Sequence, residues 1–269
     1  MKFSILIVAL NAGDELNKTL KSVLAQKSAD FEVIIKDGGS TDNSLMEIPE
    51  DCRISVYVQK DSGIYDAMNQ AVQYTTGDYC IFMNTGDVFF DENVLHEISL
   101  FIGNGLTDDS QLYYGDCYTE NRNAVLRYPE KFNDYTCFTM VLCHQATIYQ
   151  SNQLKNRKFD TRYKVAADYE YYVYAYTHGT KMVHIPVTVA RYKGEGASET
   201  KDNRIRALKE SKEIRKNNFS KERYQKAWLK MQLRGVGIKH WLVQQEWFYP
   251  TYKRIAYAYY KIKDEWRSK

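Results

Sequence analysis

Four short segments hold residue types that suit group transfer from a nucleotide, and each sits at the edge of a regular element. The first is Lys36-Asp-Gly-Gly-Ser-Thr-Asp-Asn-Ser44. Asp37, at a strand end, can accept a hydrogen bond from a nucleobase N–H. The glycines after it let backbone approach a ligand closely, and the N-terminus of a following helix favours phosphate. A plain strand-to-helix turn with a Ser/Thr/Asp cap fits the same residues. The second segment, Asp61-Ser-Gly-Ile-Tyr-Asp-Ala-Met-Asn69, is a Gly-led loop entering a helix. Asp66 and Asn69 can share one face near its start, with helix capping as the alternative. The third is Asn84-Thr-Gly-Asp87. Asp87 at a strand end suits a hard cation such as Mg²⁺ or Mn²⁺ that is itself bound to a diphosphate, although Asn, Gly and Asp also suit a turn. The fourth is Ala166-Ala-Asp-Tyr-Glu-Tyr-Tyr172. Asp168 stands at an expected helix start with Glu170 close by. One of the two can act as a general base toward an attacking hydroxyl. A helix N-cap is the competing role for Asp168.

These segments need a scaffold, and the hydrophobic pattern supplies one. Residues 3–10 read as a buried strand rather than a secretory leader. Residues 14–26 read as an amphipathic helix through Leu16, Leu20, Val23 and Leu24. Residues 31–36, 54–59 and 79–83 read as further strands, and Ile64, Met68, Ala71 and Val72 mark another helix face. Strands alternating with helices imply an α/β fold with a mainly parallel central sheet and right-handed crossovers. In such sheets ligands sit beyond the carboxyl ends of the strands, where Asp37 and Asp87 fall. Beyond residue 90 the pattern loosens. Helices are expected over 93–102 and 168–177, a strand over 182–189, and a polar loop over 195–203. The expected organisation is one domain over 1–203, its first 90 residues forming the nucleotide-sugar half, followed by a helical, basic and aromatic extension over 204–269.

Composition bounds the rest. The chain has 269 residues, enough for one large domain and an appendage. Five cysteines without CxxC spacing argue against a disulfide framework or a zinc site and fit a reducing cytoplasm. No apolar run approaches the roughly 20 residues of a membrane-spanning helix. The 23 tyrosines suit stacking on sugars or bases, or reflect lineage bias. The net charge of +3 divides unevenly, since residues 201–269 carry 19 Lys+Arg against 7 Asp+Glu. Such a basic tail suggests an anionic partner. With Trp241, Trp247, Phe248, Tyr249 and Tyr252 among its cations, it could lie on the inner face of the cytoplasmic membrane or pack its aromatics on the domain. No nucleic-acid partner is expected.

Taken in order, the segments resemble family 2 glycosyltransferases of the GT-A fold, and most of all the bacterial subgroup that builds surface polysaccharide and lipopolysaccharide. The residues that carry the resemblance run over about 1–190. They are Asn11, Asp37-Gly-Gly-Ser-Thr-Asp42, Gly63-Ile-Tyr-Asp-Ala-Met-Asn69, Gly77-Asp78, Asn84-Thr-Gly-Asp87, Tyr114-Gly-Asp116, His144-Gln-Ala-Thr147 and Ala167-Asp168-Tyr169. The resemblance implies that Asp37 binds the base, with uracil favoured. It implies that Asn11 and the backbone at Val8 and Ala9 line the same pocket. Asp66 and Asn69 would lie near the ribose and diphosphate, Asp87 would hold a divalent metal, and Asp168 would be the catalytic base. His144 would contact the acceptor or the diphosphate, or be a satisfied structural histidine. Two departures stand out. Many members carry consecutive aspartates where this chain has Gly86-Asp87, with Asn84 in place of a further one. Many also carry arginine where this chain has Met68, so phosphate charge would fall to Lys60 or to the metal.

The implied reaction is inverting transfer from a nucleotide-diphosphate sugar to a hydroxyl of a glycan or lipid-linked acceptor, in one displacement. A dinucleotide oxidoreductase is disfavoured by the lack of GxGxxG. A nucleotidyltransferase is disfavoured by the lack of a basic loop after the first strand. A non-catalytic nucleotide-sugar-binding module on the same fold is the remaining alternative.

Overall fold

A computed structural model describes residues 1–105, 111–193, 200–234, 251 and 254–255. Its first half follows the hydrophobic pattern closely. The apolar opening run forms β1 (Lys2–Ala9), which is paired in parallel on both edges and therefore buried on both faces. Next come α1 (Asp14–Leu24), β2 (Asp30–Asp37), β3 (Ile54–Val58), α2 (Ile64–Val72) and β4 (Tyr79–Phe82). Asp14 and Glu15 open α1 and Lys21 closes it, which matches the helix dipole at both ends. Leu16, Leu20 and Val23 turn inward onto the sheet. The β1–β2 register sets Ala9 beside Asp37, and the β2–β3 register sets Asp37 beside Val58. Three strands thus deliver their last residues to one edge.

The second half keeps the expected helices over 93–102 and 168–177 and the expected strand over 182–189, with small shifts at their ends, and adds elements that were not expected. It contributes β5 (Val88–Phe89), α3 (Val94–Gly103), β6 (Gln111–Thr119), β7 (Ala124–Leu126), α4 (Asp134–Thr139), β8 (Thr147–Gln150), α5 (Ser151–Asn156), α6 (Ala167–Thr177) and β9 (Lys181–Tyr192). The strand order is β3-β2-β1-β4-β8-β6-β9-β5, with β7 paired to β6. Only the β3-β2-β1-β4 block and the β6–β9 pair are parallel; β8 runs antiparallel to both its neighbours. The sheet is therefore mixed rather than mainly parallel. Between β7 and β8 the chain passes through α4 and a short turn at His144–Ala146. The sequence of β6 does not alternate, yet the strand is buried almost throughout. Gly115 sits at the bulges where β6 meets β9, and a Cβ there would lie 2.5 Å from Val189 Cγ2.

Helices α1 and α3 cover one face of the sheet, and α2, α4 and α6 cover the other. Two more helices, α7 (Lys201–Asn218) and α8 (Lys221–Leu233), join the second face. Ile214, Phe219, Ala227 and Met231 bury themselves in its core, and the Arg223 guanidinium pairs with Asp134 at 2.6 Å. The described part of the basic extension is thus continuous with the domain. Trp241, Trp247, Phe248, Tyr249 and Tyr252 lie outside the described residues. Much of the tyrosine content is structural. The rings of Tyr114, Tyr149, Tyr169 and Tyr172 are buried, and three of their hydroxyls donate to main-chain carbonyls, Tyr114 to Pro129, Tyr169 to Cys137 and Tyr172 to Met140.

Candidate active site

The loops after β1 and β2 are laced together. The Asn11 N–H donates to Ser40 Oγ at 2.8 Å, and the Thr41 N–H donates to Asn11 Oδ1 at 2.9 Å. Asn11 has φ of 50°, a left-handed conformation that asparagine tolerates better than most residues. The Gly38 N–H donates to the Ala9 carbonyl at 2.8 Å. Asp37 lies at the expected strand end, but its own turn encloses it. Its Oδ2 accepts from the N–H groups of Gly39 and Ser40 at 2.8 and 2.7 Å, its Oδ1 accepts from Ser40 Oγ, and the residue is fully buried. In this conformation both carboxylate oxygens of Asp37 are engaged by its own turn.

Two further expectations change. Asn69 was expected near the ribose and diphosphate. Both ends of its amide are instead taken by the main chain of Phe159, donating to O at 2.9 Å and accepting from N at 2.8 Å. It is a clamp beneath the site. Asp66 reaches back to Ser62, accepting from N–H and Oγ at 2.8 and 3.0 Å, which holds its carboxyl below the usual range. It ties down the start of α2. The sequence reading missed Lys36, which is fully buried and paired with Asp61 in that same loop. Lys60 is exposed beside it.

Asp87 stands just past β4. Gln145 Nε2, from the His-Gln-Ala turn, donates to its Oδ2 at 2.5 Å. Burial pushes the Asp87 carboxyl up to about 6, against the opposing effect of that hydrogen bond. Two oxygens near the same loop are orphaned. Asn84 Oδ1 and Glu15 Oε2 are buried without a donor. Gly86 has φ of 90°, and a Cβ there would lie 2.5 Å from Glu15 Oε2. The Glu15 carboxylate therefore occupies the space a side chain at position 86 would need. The described residues hold no group of three or more His, Cys, Asp or Glu able to cage a metal. What they offer is one desolvated carboxylate with unpartnered oxygens beside it. That fits a hard cation whose remaining ligands come from diphosphate and water.

Asp168 sits in the first turn of α6, across the His-Gln-Ala turn, whose Gln145 meets Asp87 and whose His144 approaches the Asp168 carboxylate. The cap residue is Ala166, so Asp168 is not an N-cap. Tyr65 Oη donates to Asp168 Oδ1 at 2.9 Å, and His144 Nδ1 lies 3.8 Å from Oδ2. Glu170, the other candidate base, is locked to Arg157 at 2.6 and 2.8 Å. Of the two carboxylates, only Asp168 remains available. His144 stacks on Phe82 with ring centroids 4.9 Å apart, and its Nδ1 is 3.2 Å from Tyr149 Oη. Its Nε2 is buried without a partner. Burial lowers the imidazole's proton affinity against the raising effect of Asp168, which favours the neutral ring. The segment before Asp168 is anchored from α7. Glu210 accepts from the N–H groups of Lys164, Val165 and Ala166, each at 3.0 Å. Nothing in the local sequence announces that contact across more than 40 positions.

A parallel half-sheet with polar loops at its carboxyl edge, facing a carboxylate on a separate helix, is the layout of the GT-A fold. The model of Glycosyl transferase family 2 matches residues 4–163. The chain belongs to that family. A PGL/p-HBAD biosynthesis glycosyltransferase of Mycobacterium bovis is 32% identical over 199 residues, covering 71% of this chain and 73% of its own. The UDP-Glc:alpha-D-GlcNAc-diphosphoundecaprenol beta-1,3-glucosyltransferase WfgD of Escherichia coli is 26% identical over 126 residues, covering 46% of this chain and 48% of its own. Among solved structures, S. aureus TarS in complex with UDP-GlcNAc superposes with a TM-score of 0.66 at 18% identity, covering 84% of this chain and 70% of that one. The mannosyltransferase PcManGT of Pyrobaculum calidifontis, in complex with GDP-Man and Mn²⁺, gives 0.61 at 12% identity, covering 99% and 88%. The protein is a glycosyltransferase.

Proposed function

We propose that this glycosyltransferase is inverting, and that it moves a sugar from a UDP-sugar to a hydroxyl of a glycan or lipid-linked acceptor in surface-polysaccharide or lipopolysaccharide synthesis. The observation that carries the mechanism is Asp168, held through Oδ1 by Tyr65, with no hydrogen bond on Oδ2 from the described residues. That oxygen takes the proton of the acceptor hydroxyl as the hydroxyl oxygen attacks the anomeric carbon. The bond to the diphosphate breaks on the opposite side, and one displacement inverts the centre. Glu170, locked to Arg157, is not free to serve as a second carboxylate. His144 Nε2 is the polar atom we assign to the acceptor or the diphosphate, since it is buried without a partner. The nucleotide is assigned to the wall built by Ala9, Asn11 and the Asp37 turn. A divalent cation, Mn²⁺ or Mg²⁺, held by Asp87 with Asn84 and Glu15 nearby, would stabilise charge on the leaving diphosphate. The UDP preference draws on the names of WfgD and the TarS complex.

The deciding experiment is calorimetric titration of UDP with and without Mn²⁺, followed by UDP release from UDP-glucose and UDP-GlcNAc. The expected result is metal-assisted UDP binding and turnover of at least one donor. Binding of a different nucleoside diphosphate would overturn the uracil assignment alone. Binding without any turnover would favour a non-catalytic module.

We place the protein in the cytoplasm, at the inner membrane face. No helix among the described residues is long and apolar enough to cross a membrane. On α8, Trp228, Leu229 and Leu233 are exposed among Lys221, Lys226 and Lys230. Apolar side chains in a cationic field suit an anionic lipid surface. The protein should float with phosphatidylglycerol vesicles and not with phosphatidylcholine, and Leu229→Glu with Leu233→Glu should abolish flotation. Equal recovery with both lipids would remove the anionic surface as a partner.

A further inference from the structure

Tyr65 stands in the first turn of α2, far in sequence from Asp168, yet its hydroxyl meets that carboxylate. Its ring packs on Phe159 with centroids 5.8 Å apart. Phe159 is itself pinned by the two hydrogen bonds of Asn69. The Tyr65 hydroxyl therefore projects from a fixed support. It lies 2.9 Å from Asp168 Oδ1 and 2.9 Å from the Val165 carbonyl oxygen. A phenol has one proton and two acceptors compete for it here.

Charge decides the competition. While Asp168 is ionised, a hydrogen bond to its carboxylate is roughly twice as strong as one to a neutral carbonyl. The proton then points to Oδ1. Once Asp168 has taken a proton on Oδ2, Oδ1 becomes a neutral acceptor and Val165 competes on equal terms. The hydroxyl can satisfy the carboxylate before transfer and release it afterwards, without any movement of the ring. Among the described residues none makes a hydrogen bond to Oδ2, and His144 Nδ1 lies 3.8 Å away on that side, beyond bonding distance.

We propose that Tyr65 is the positioning residue of the base. Its hydroxyl holds Oδ1 so that Oδ2 is the single oxygen left for the acceptor's proton. In that step the acceptor O–H bond breaks, the proton joins Oδ2, the freed electron pair forms the new bond to the anomeric carbon, and the bond from that carbon to the diphosphate oxygen breaks with its electron pair leaving on the nucleoside diphosphate. This rests on the reading of Asp168 as the base.

The test uses Tyr65→Phe, Asp168→Asn and the double variant in the full chain. The wild-type donor is whichever of UDP-glucose, UDP-galactose and UDP-GlcNAc turns over fastest. Tyr65→Phe should lower kcat by about 10- to 100-fold, the worth of a hydrogen bond to a charged group. Donor KM and UDP affinity should hold. In the Asp168→Asn background, Tyr65→Phe should add no further loss. An unchanged kcat in Tyr65→Phe overturns the proposal. So does an equal loss in both backgrounds, the mark of a structural role. A separate readout needs no turnover. In protein labelled at tyrosine ¹³Cζ, the resonance that disappears in Tyr65→Phe should move in Asp168→Asn, and a resonance that stays put overturns the contact. If Asp168→Asn transfers sugar at the wild-type rate, the base assignment fails instead, and the ¹³Cζ result still reports whether the two side chains are coupled.

Discussion

Asp168→Asn should bind UDP as the wild type does and lose about 10²–10⁴-fold in kcat, the usual contribution of a general base. The substitution keeps the shape of the side chain and an acceptor oxygen for Tyr65. It removes only the ability to take a proton. The fold should survive, because the α6 N-terminus does not depend on Asp168. Ala166 is the cap residue, and Glu210 from α7 holds the preceding N–H groups. Glu170→Gln provides the contrast. It breaks a buried pair with Arg157 and leaves Arg157 without its carboxylate partner, so its effect should fall on thermal stability rather than on kcat of the folded fraction. Reversal of these outcomes, with Glu170→Gln inactive and Asp168→Asn active at equal stability, would move the base to Glu170. The buried salt bridge makes that assignment costly, since Glu170 would have to leave Arg157 to work.

The first half of the fold was legible because local pattern and tertiary role agree there. The runs that became β1 and β4 are largely apolar, β2 carries Phe31 and Val33-Ile-Ile35 between its charged residues, and the residues after all three include turn formers. In the second half α3, α6 and β9 were legible too, while β6 and β8 were not, for reasons visible in particular residues. β6 is written Gln-Leu-Tyr-Tyr-Gly-Asp-Cys-Tyr-Thr, with no alternation, and its burial comes from neighbours distant in the chain. β8 is only four residues long, too short for a pattern to show, and pairs antiparallel with strands distant in the chain. At the site, chemistry was easier to read than geometry. Asp87 lies just past β4 and Asp168 in the first turn of α6, the positions their local sequence implies. Asn69 and Asp66 have the right types at the right spacing, but local hydrogen bonds to Phe159 and Ser62 consume them, and such bonds leave no periodic trace in sequence. Lys36 was hidden for the opposite reason. A lysine inside a strand gives no sign that Asp61 will cover it. Glu15 looked like one more acid in a first helical turn until Gly86 left room for its carboxylate.

Asp87→Asn should abolish the gain in UDP affinity that Mn²⁺ confers, and should do so in a protein more stable than the wild type. Changes to residues that merely support a metal ligand cost about 10–100-fold in affinity, so loss of the ligand itself should reach at least about 100-fold. Wild type in EDTA and Asp87→Asn in Mn²⁺ should then titrate alike with UDP. The stability change follows from the carboxyl being pushed up to about 6, chiefly by burial. A carboxyl that ionises less readily when folded than when unfolded favours the folded state only while protonated. Its contribution is present at acid pH and is lost as pH rises from about 4 through about 6, which at neutral pH amounts to a cost of about 3 kcal/mol at most. Asparagine removes that cost and still accepts from Gln145, so the melting temperature at pH 7 without metal should rise. Holding an ionised carboxylate in a dry pocket is a stability cost that makes sense if a cation is to arrive there. Glu15→Gln extends the same logic. If the orphaned Glu15 oxygen serves the cation, Mn²⁺ affinity should fall even though the amide still fills the space beside Gly86. If Glu15 serves only its pair with Lys193, then Lys193→Ala and Glu15→Gln should be equally silent toward Mn²⁺. Undiminished Mn²⁺ enhancement in Asp87→Asn would take the metal away from this loop altogether, and charge on the leaving diphosphate would then have to be met by the chain's own cations.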